Sequence, residues 1–268
     1  LIVGGDIDLE GAIDVNGTTN LDVVDIDGAV DMASTLTLAG NADFNGDLDV
    51  DGTTETDALT INGSALNYKA FGTSSIMFGD NATGTIDAAD NNTGVGVDVF
   101  AALTTGDDNV AVGKSALTAN TTASFNVAVG QGAGDAITTG NYNTAIGRSA
   151  LTALTTNAAN TAVGGTALAA NTAANNTGVG YAALAANTTG TLNVAVGTSA
   201  LALNTTANSN TAVGSSSLNA NTTGAFNVAV GYLALTANTT ANANTALGNE
   251  TLSSNTTGTR NVAAGASA

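Results

Sequence analysis

The sequence predicts an all-β chain: a parallel β-solenoid, or β-helix, of 17-residue coils. It is preceded by a triangular β-helix shaft of six-residue repeats, and the whole is assembled as a homotrimer. Three observations carry this reading. A glycine returns every 17 residues through most of the chain. A short alternating segment, Asn-Val-Ala-Val or Asn-Thr-Ala-Val, runs into most of those glycines. The composition holds 33 Gly and no Pro, with many Thr, Asn and Ala, which suits tight corners and short strands better than helices. The predicted parts are an acidic hexad-repeat shaft over 1–66, an aromatic junction with the first coil over 67–100, and the 17-residue-repeat solenoid over 101–268.

Residues 1–66 carry 14 of the 22 acids and no base. From residue 5 they divide into six-residue units such as GDIDLE, GAIDVN and GDLDVD. Two longer units, 17–27 and 52–62, lie 35 residues apart. Inside a unit the order is apolar, Asp, apolar, as in Ile7-Asp8-Leu9 and Leu48-Asp49-Val50. That is a three-residue strand with two side chains inward and a carboxylate outward. Three such faces close a triangular coil. Residues 67–100 hold Tyr68, Phe71, Phe78 and Phe100, with Met77 and a short strand at Ser74–Ile76. They are expected to form a packed plug between shafts of different cross-section.

In the second segment the repeat glycine falls at Gly96, Gly113, Gly130, Gly147, Gly164, Gly180, Gly197, Gly214, Gly231, Gly248 and Gly265, with Gly79 one period upstream. Every step is 17 residues except Gly164 to Gly180, which is 16. A fixed short period of this kind is the mark of a solenoid. Counting the glycine as position 0, position 13 is Asn: Asn92, Asn109, Asn126, Asn143, Asn160, Asn193, Asn210, Asn227, Asn244 and Asn261, with Asn176 in the shortened coil. Position 8 is Thr: Thr104, Thr121, Thr138, Thr155, Thr172, Thr188, Thr205, Thr222, Thr239 and Thr256.

Each column has a physical reading. Stacking like coils about 4.8 Å apart places Asn above Asn, so their amides hydrogen-bond up the column. Glycine supplies a positive-φ corner after each strand. The Val column before the glycine and the Leu column at position 4 are expected to form a thin apolar core. The intervening Ala or Gly column marks a close approach by backbone or by another chain. The residue missing between Thr172 and Asn176 is placed in a polar corner, where a deletion costs least.

Composition also bounds the chemistry. With no His and no Cys, triads, zinc-bound water and thiol chemistry are not expected. A net charge of −18 argues against nucleic acid as a partner, and no apolar run is long enough for a membrane helix. The chain opens at Leu1 and stops inside a motif at Ala268, which reads as part of a longer polypeptide.

The strings Asn-Val-Ala-Val-Gly, Ser-Ala-Leu and Asn-Thr-Thr-Gly resemble the head repeats of YadA-like trimeric adhesins. They also resemble repeat shafts of bacteriophage fibres, and the hexads of 1–66 are similar to fibre-shaft β-helices. This resemblance implies a parallel homotrimeric fibre on a virion or cell surface. The chain lacks the heptad stalk and β-barrel anchor of the adhesins, which favours the phage fibre.

No catalytic residue, metal ligand or cofactor is expected. The Asp rows (Asp8, Asp14, Asp31, Asp43, Asp49) read as a solvated face rather than a calcium ladder. The eight acids after residue 66 do not converge as a glycosidase pair would. The Thr column reads as a hydrogen-bonded corner ahead of an ice- or glycan-binding face. Asn-x-Thr triplets at Asn120, Asn187, Asn204, Asn221, Asn238 and Asn255 have the form of glycosylation sequons. Phe125, Tyr142, Leu192, Phe226 and Arg260 share position 12, on the same face as the Val column, and are expected to be buried with it. The functional expectation is a structural fibre segment of a virion: a rigid spacer, extracellular, joined to other fibre proteins at its ends. It presents a receptor-binding tip outside this chain. The alternatives are a surface adhesin whose repeats bind glycans and, further off, an ice-binding solenoid.

Overall fold

A residue repeat becomes a solenoid when each coil returns the chain to one place a single strand spacing further on. The computed structural model describes residues 89–268, together with the backbone of four short upstream strands. The acidic hexads, their Asp rows and the triangular shaft lie outside the described residues. The upstream strands are β1 (Thr60–Ile61), β2 (Ser64–Ala65), β3 (Tyr68–Phe71) and β4 (Ser75–Phe78). One strand then follows per coil: β5 (Thr93–Val95), β6 (Val110–Val112), β7 (Val127–Val129), β8 (Thr144–Ile146), β9 (Thr161–Val163) and β10 (Thr177–Val179). The series ends with β11 (Val194–Val196), β12 (Thr211–Val213), β13 (Val228–Val230), β14 (Thr245–Leu247) and β15 (Val262–Ala264).

From β4 to β15 all neighbours are parallel and in register, like residue on like residue, in one 13-stranded sheet. The parallel solenoid is therefore present, and it extends one strand upstream of β5: Phe78 pairs with Val95. At the start of the ladder β3 pairs antiparallel with β4, Tyr68 opposite Phe78. The junction thus contains a hairpin whose outer strand covers the first edge of the parallel ladder, one of the ways proteins blunt an exposed edge.

The rest of each coil is turns. In the coil after Gly113, the Ala116 N–H donates to Gly113 O (3.2 Å) and the Asn120 N–H to Leu117 O (3.1 Å). Other N–H groups reach adjacent coils, as Ser115 does to Val97 O (2.8 Å) and Thr121 to Thr138 O (3.0 Å). These bonds hold three residues of this coil left-handed: Ser115 (φ 58), Leu117 (φ 49) and Phe125 (φ 61). That conformation is unfavourable for an L-residue; the coil keeps it because each of these three N–H groups has a fixed acceptor, Val97 O, Ala133 O and Asp107 O. The repeat glycines are held at φ between 126 and 139. A Cβ on Gly113 would lie 2.7 Å from the carbonyl of Gly130, so this column needs glycine for close packing as well as for its dihedral.

One expectation about the core is corrected. The Val column is not inside. Within each strand it is the middle residue that faces in: Ala111, Ala128, Ala195 and Ala212 are fully buried, while their valine neighbours are half-buried or exposed. The interior is too narrow for valine there. At Gly178, in the same column, a Cβ would already sit 3.2 Å from Leu168 Cγ and 3.1 Å from Ala183 O. The close approach marked by the Ala/Gly column is therefore made by the coil's own opposite wall. The core is the Ala column packed on the Leu column (Leu117, Leu151, Leu168, Leu184, Leu201, Leu218, Leu235), all fully buried.

Where one coil lacks that leucine, another residue replaces it. Gly134 stands in the Leu column, and Ile137 fills the space from position 7; a Cβ on Gly134 would be 2.9 Å from Ile137 Cδ1. The swap keeps core volume nearly constant. The 16-residue coil behaves as expected. Thr172 N–H donates to Thr188 O (2.9 Å) and Asn175 N–H to Ala158 O (3.2 Å), so the coil is back in register within three residues.

Candidate functional site

The most regular chemistry of the described residues is an internal asparagine ladder at position 13. Asn109, Asn126, Asn143, Asn160, Asn193, Asn210 and Asn227 are all fully or almost fully buried. In each step the side-chain oxygen of one Asn accepts the backbone N–H of the next, as Asn126 N to Asn109 Oδ1 (2.9 Å) and Asn227 N to Asn210 Oδ1 (2.9 Å). The next Nδ2 reaches the same oxygen, and also a backbone carbonyl of the coil above, as Asn193 Nδ2 does to Ala207 O (2.8 Å). Buried amides are tolerable where both ends are satisfied, as they are along the ladder except at Asn244, whose Nδ2 has no partner. The ladder runs unbroken through the short coil (Asn176 N to Asn160 Oδ1, 3.0 Å) and on to Asn244 and Asn261.

A second ladder went unread in the sequence. Asn187, Asn204, Asn221 and Asn238, at position 7, are fully buried, and each Nδ2 donates to the Oδ1 below, as Asn204 to Asn187 (2.8 Å) and Asn238 to Asn221 (2.9 Å). Each also bonds a carbonyl three residues on, as Asn221 Nδ2 does to Gly224 O (2.9 Å). These are the asparagines of the sequon-like triplets. In the folded coil their amides are occupied by hydrogen bonds. The sequence signal for the ladder was the 17-residue spacing of the triplets. It was obscured because Leu103, Ile137 and Leu154 take the same buried position in three coils.

The position 8 threonines form a rail at the corner. The hydroxyl of Thr121 donates to Thr138 O (3.1 Å), that of Thr205 to Thr222 O (3.1 Å) and that of Thr222 to Thr239 O (3.1 Å). This is the corner role expected of them.

Two outward faces remain. The outward strand residues form a vertical strip that is apolar at position 16 and is Val or Thr at position 14. Val95, Val129, Ile146, Val196, Val213, Val230 and Leu247 are 36–44% exposed although like residues cover them above and below. Beside the strip runs position 12, where the expectation of burial is corrected. Phe125, Tyr142, Leu192 and Phe226 are 47–65% exposed, and Arg260 is exposed too. They do share the face of the valines, but that face points outward. The Phe125 and Tyr142 rings, one coil apart, stack with centroids 5.0 Å apart and planes within 3°.

Asp135 is the one perturbed acid among the described residues. Burial pushes its carboxyl above the ordinary value, opposed by hydrogen bonds from the backbone N–H groups of Asp135 and Ala136. Its Oδ1 has no partner. It stands alone: no cluster of three or more acids that could hold a metal exists among the described residues. None of their helices is long and apolar enough to cross a membrane.

The solenoid thus offers two internal amide ladders, a hydroxyl rail, an apolar strip and an aromatic column. No known protein-family model, curated protein or solved structure matches the chain.

Proposed function

We propose that the chain is a structural segment of an extracellular fibre, most simply a virion fibre. Three parallel copies form a rigid spacer between other fibre proteins, and a receptor-binding tip lies outside these residues. The observation that carries the reading is the apolar strip. It follows an in-register ladder whose eleven steps from Gly79 to Gly265 rise roughly 50 Å. A strip about 10 Å wide and that tall exposes on the order of 500 Å² of Val and Thr surface, with an unbroken apolar column at position 16, near the patch size at which a monomer is unusual. Three such strips meeting on a common axis would cover on the order of 1,500 Å², typical of a stable interface. The internal ladders supply rigidity, since each coil is bonded to its neighbours through side chains as well as backbone.

Sedimentation of the wild type beside a Val196→Lys/Val213→Lys double variant tests this. The wild type is expected to sediment as a trimer at micromolar concentration. The variant is expected to dissociate with an unchanged circular dichroism spectrum. A folded wild-type monomer, or a variant that assembles normally, overturns the reading.

A second reading is a surface adhesin whose coils bind glycans. It gains from one observation, the outward aromatic column beside the strip.

A further inference from the structure

Position 12 is a stacked column with a gap. Where two consecutive coils carry rings, as at Phe125 and Tyr142, the rings stack one coil spacing apart. Phe226 occupies the same position with the same backbone (φ 61 for both Phe125 and Phe226). The next coil has Ala243 there, and the one after it Arg260. One ring's place is therefore empty between a phenyl group and a guanidinium, two coil spacings, or roughly 10 Å, apart. The gap is an open groove of about 490 Å³ lined by Ala225, Phe226, Asn242, Ala243, Thr259 and Arg260.

The lining is chemically mixed. Phe226 offers an uncovered ring and Ala243 a low floor. Asn242 uses its Oδ1 to accept the Ala225 N–H (2.7 Å), which leaves its Nδ2 toward solvent as a donor. Thr259 adds a hydroxyl. Arg260 makes no ion pair among the described residues. Glu250, the only acid after Asp135 in the chain, lines a separate groove with Leu252 and Ser253.

We propose that this gap is a subsite for one acidic sugar ring of a polysaccharide, a hexuronate or similar pyranose carboxylate. The ring takes the missing place in the column, with its C–H face on Phe226 and its carboxylate on the Arg260 guanidinium. Asn242 Nδ2 and Thr259 Oγ1 hydrogen-bond its hydroxyls. Those two polar groups favour a sugar over a flat aromatic acid, and the open flanks let a polymer pass through. The site goes beyond the spacer reading and does not depend on it, because it lies beside the apolar strip.

The test uses a galacturonate trisaccharide, its neutral galactose counterpart and benzoate, each followed by saturation-transfer NMR on the full chain. Ala243→Phe fills the gap with a ring that this column already accommodates at Phe125 and Phe226, and Arg260→Gln removes the charge. The trisaccharide is expected to bind the wild type at least tenfold more tightly than the neutral sugar. Each substitution is expected to weaken it at least tenfold, with melting temperature and sedimentation unchanged. No binding of the acidic trisaccharide, binding by both variants as tight as by the wild type, or binding of benzoate alone overturns the proposal. So does an Ala243→Phe protein whose oligomeric state has changed, which would assign the column to the subunit interface.

Discussion

The side-chain oxygen of Asn193 accepts two hydrogen bonds from Asn210, one from its backbone N–H at 3.0 Å and one from its Nδ2 at 3.3 Å. In the same way Asn193 donates through both groups to Asn176 Oδ1. One buried amide therefore closes three levels of the solenoid, and its removal leaves the Asn210 N–H without its acceptor and the Ala207 carbonyl with Asn204 Nδ2 alone.

Asn193→Ala is accordingly expected to destabilise the chain by about 2–4 kcal/mol, the cost of stranding buried polar groups beyond one lost bond. Asn193→Asp keeps the acceptor, loses the donor to Ala207 O and buries a charge. It is expected to be at least as harmful at pH 7 and to recover partly at pH 3. Thermal unfolding followed by circular dichroism checks both. A loss below about 0.5 kcal/mol for the Ala variant would mean the ladder is not structural.

Glycine and alanine exchanges are expected to act oppositely at two places in one coil. Gly197 has φ 134, and a Cβ there would meet the Gly214 carbonyl at 2.6 Å; Gly197→Ala should lower stability by at least about 2 kcal/mol. Ala182 is held left-handed at φ 54; Ala182→Gly relieves that strain and should raise stability by about 0.5–1 kcal/mol. Chemical denaturation midpoints compare the two. Equal signs would contradict the backbone account.

Asp135 gives the chain a pH dependence of defined sign. Its folded carboxyl titrates above the ordinary value of about 3.9, so the folded state binds the proton more tightly than the unfolded one. Stability from this group is present below that value and lost as pH rises through the raised one. Asp135→Asn keeps an acceptor for the backbone N–H groups and cannot ionise. It should be more stable than wild type at pH 7, with the difference shrinking towards pH 3. A difference that stays constant from pH 3 to 7 would contradict the assignment.

The period, the register and the position 13 ladder were legible because stacking forces each into a fixed column of the sequence. Which face of the strand turns inward was not. Val112 is more hydrophobic than Ala111, and hydrophobicity alone puts the valine inside. The deciding quantity is interior width, set by Leu117 and its neighbours on the opposite wall, and a one-dimensional pattern does not contain it. The same error of face carried Phe125 and Phe226 inward with the valines. The position 7 ladder was hidden for another reason. Leu154 and Asn171 are both acceptable in one buried place, the first by packing and the second by hydrogen bonding, so the column looks variable although its burial is constant.

The height of the solenoid is set by its number of coils. Small-angle scattering of the wild type, of a variant lacking residues 181–248 and of one lacking residues 181–189 tests this directly. The first deletion removes four whole coils, from just after Gly180 to Gly248. It should shorten the longest dimension by roughly 19 Å and leave the β signal per residue unchanged. The second removes about half a coil and should put every column downstream out of register, with loss of cooperative unfolding. A four-coil deletion that fails to fold, or a half-coil deletion that folds as well as it does, would contradict the coil as the unit of length and stability.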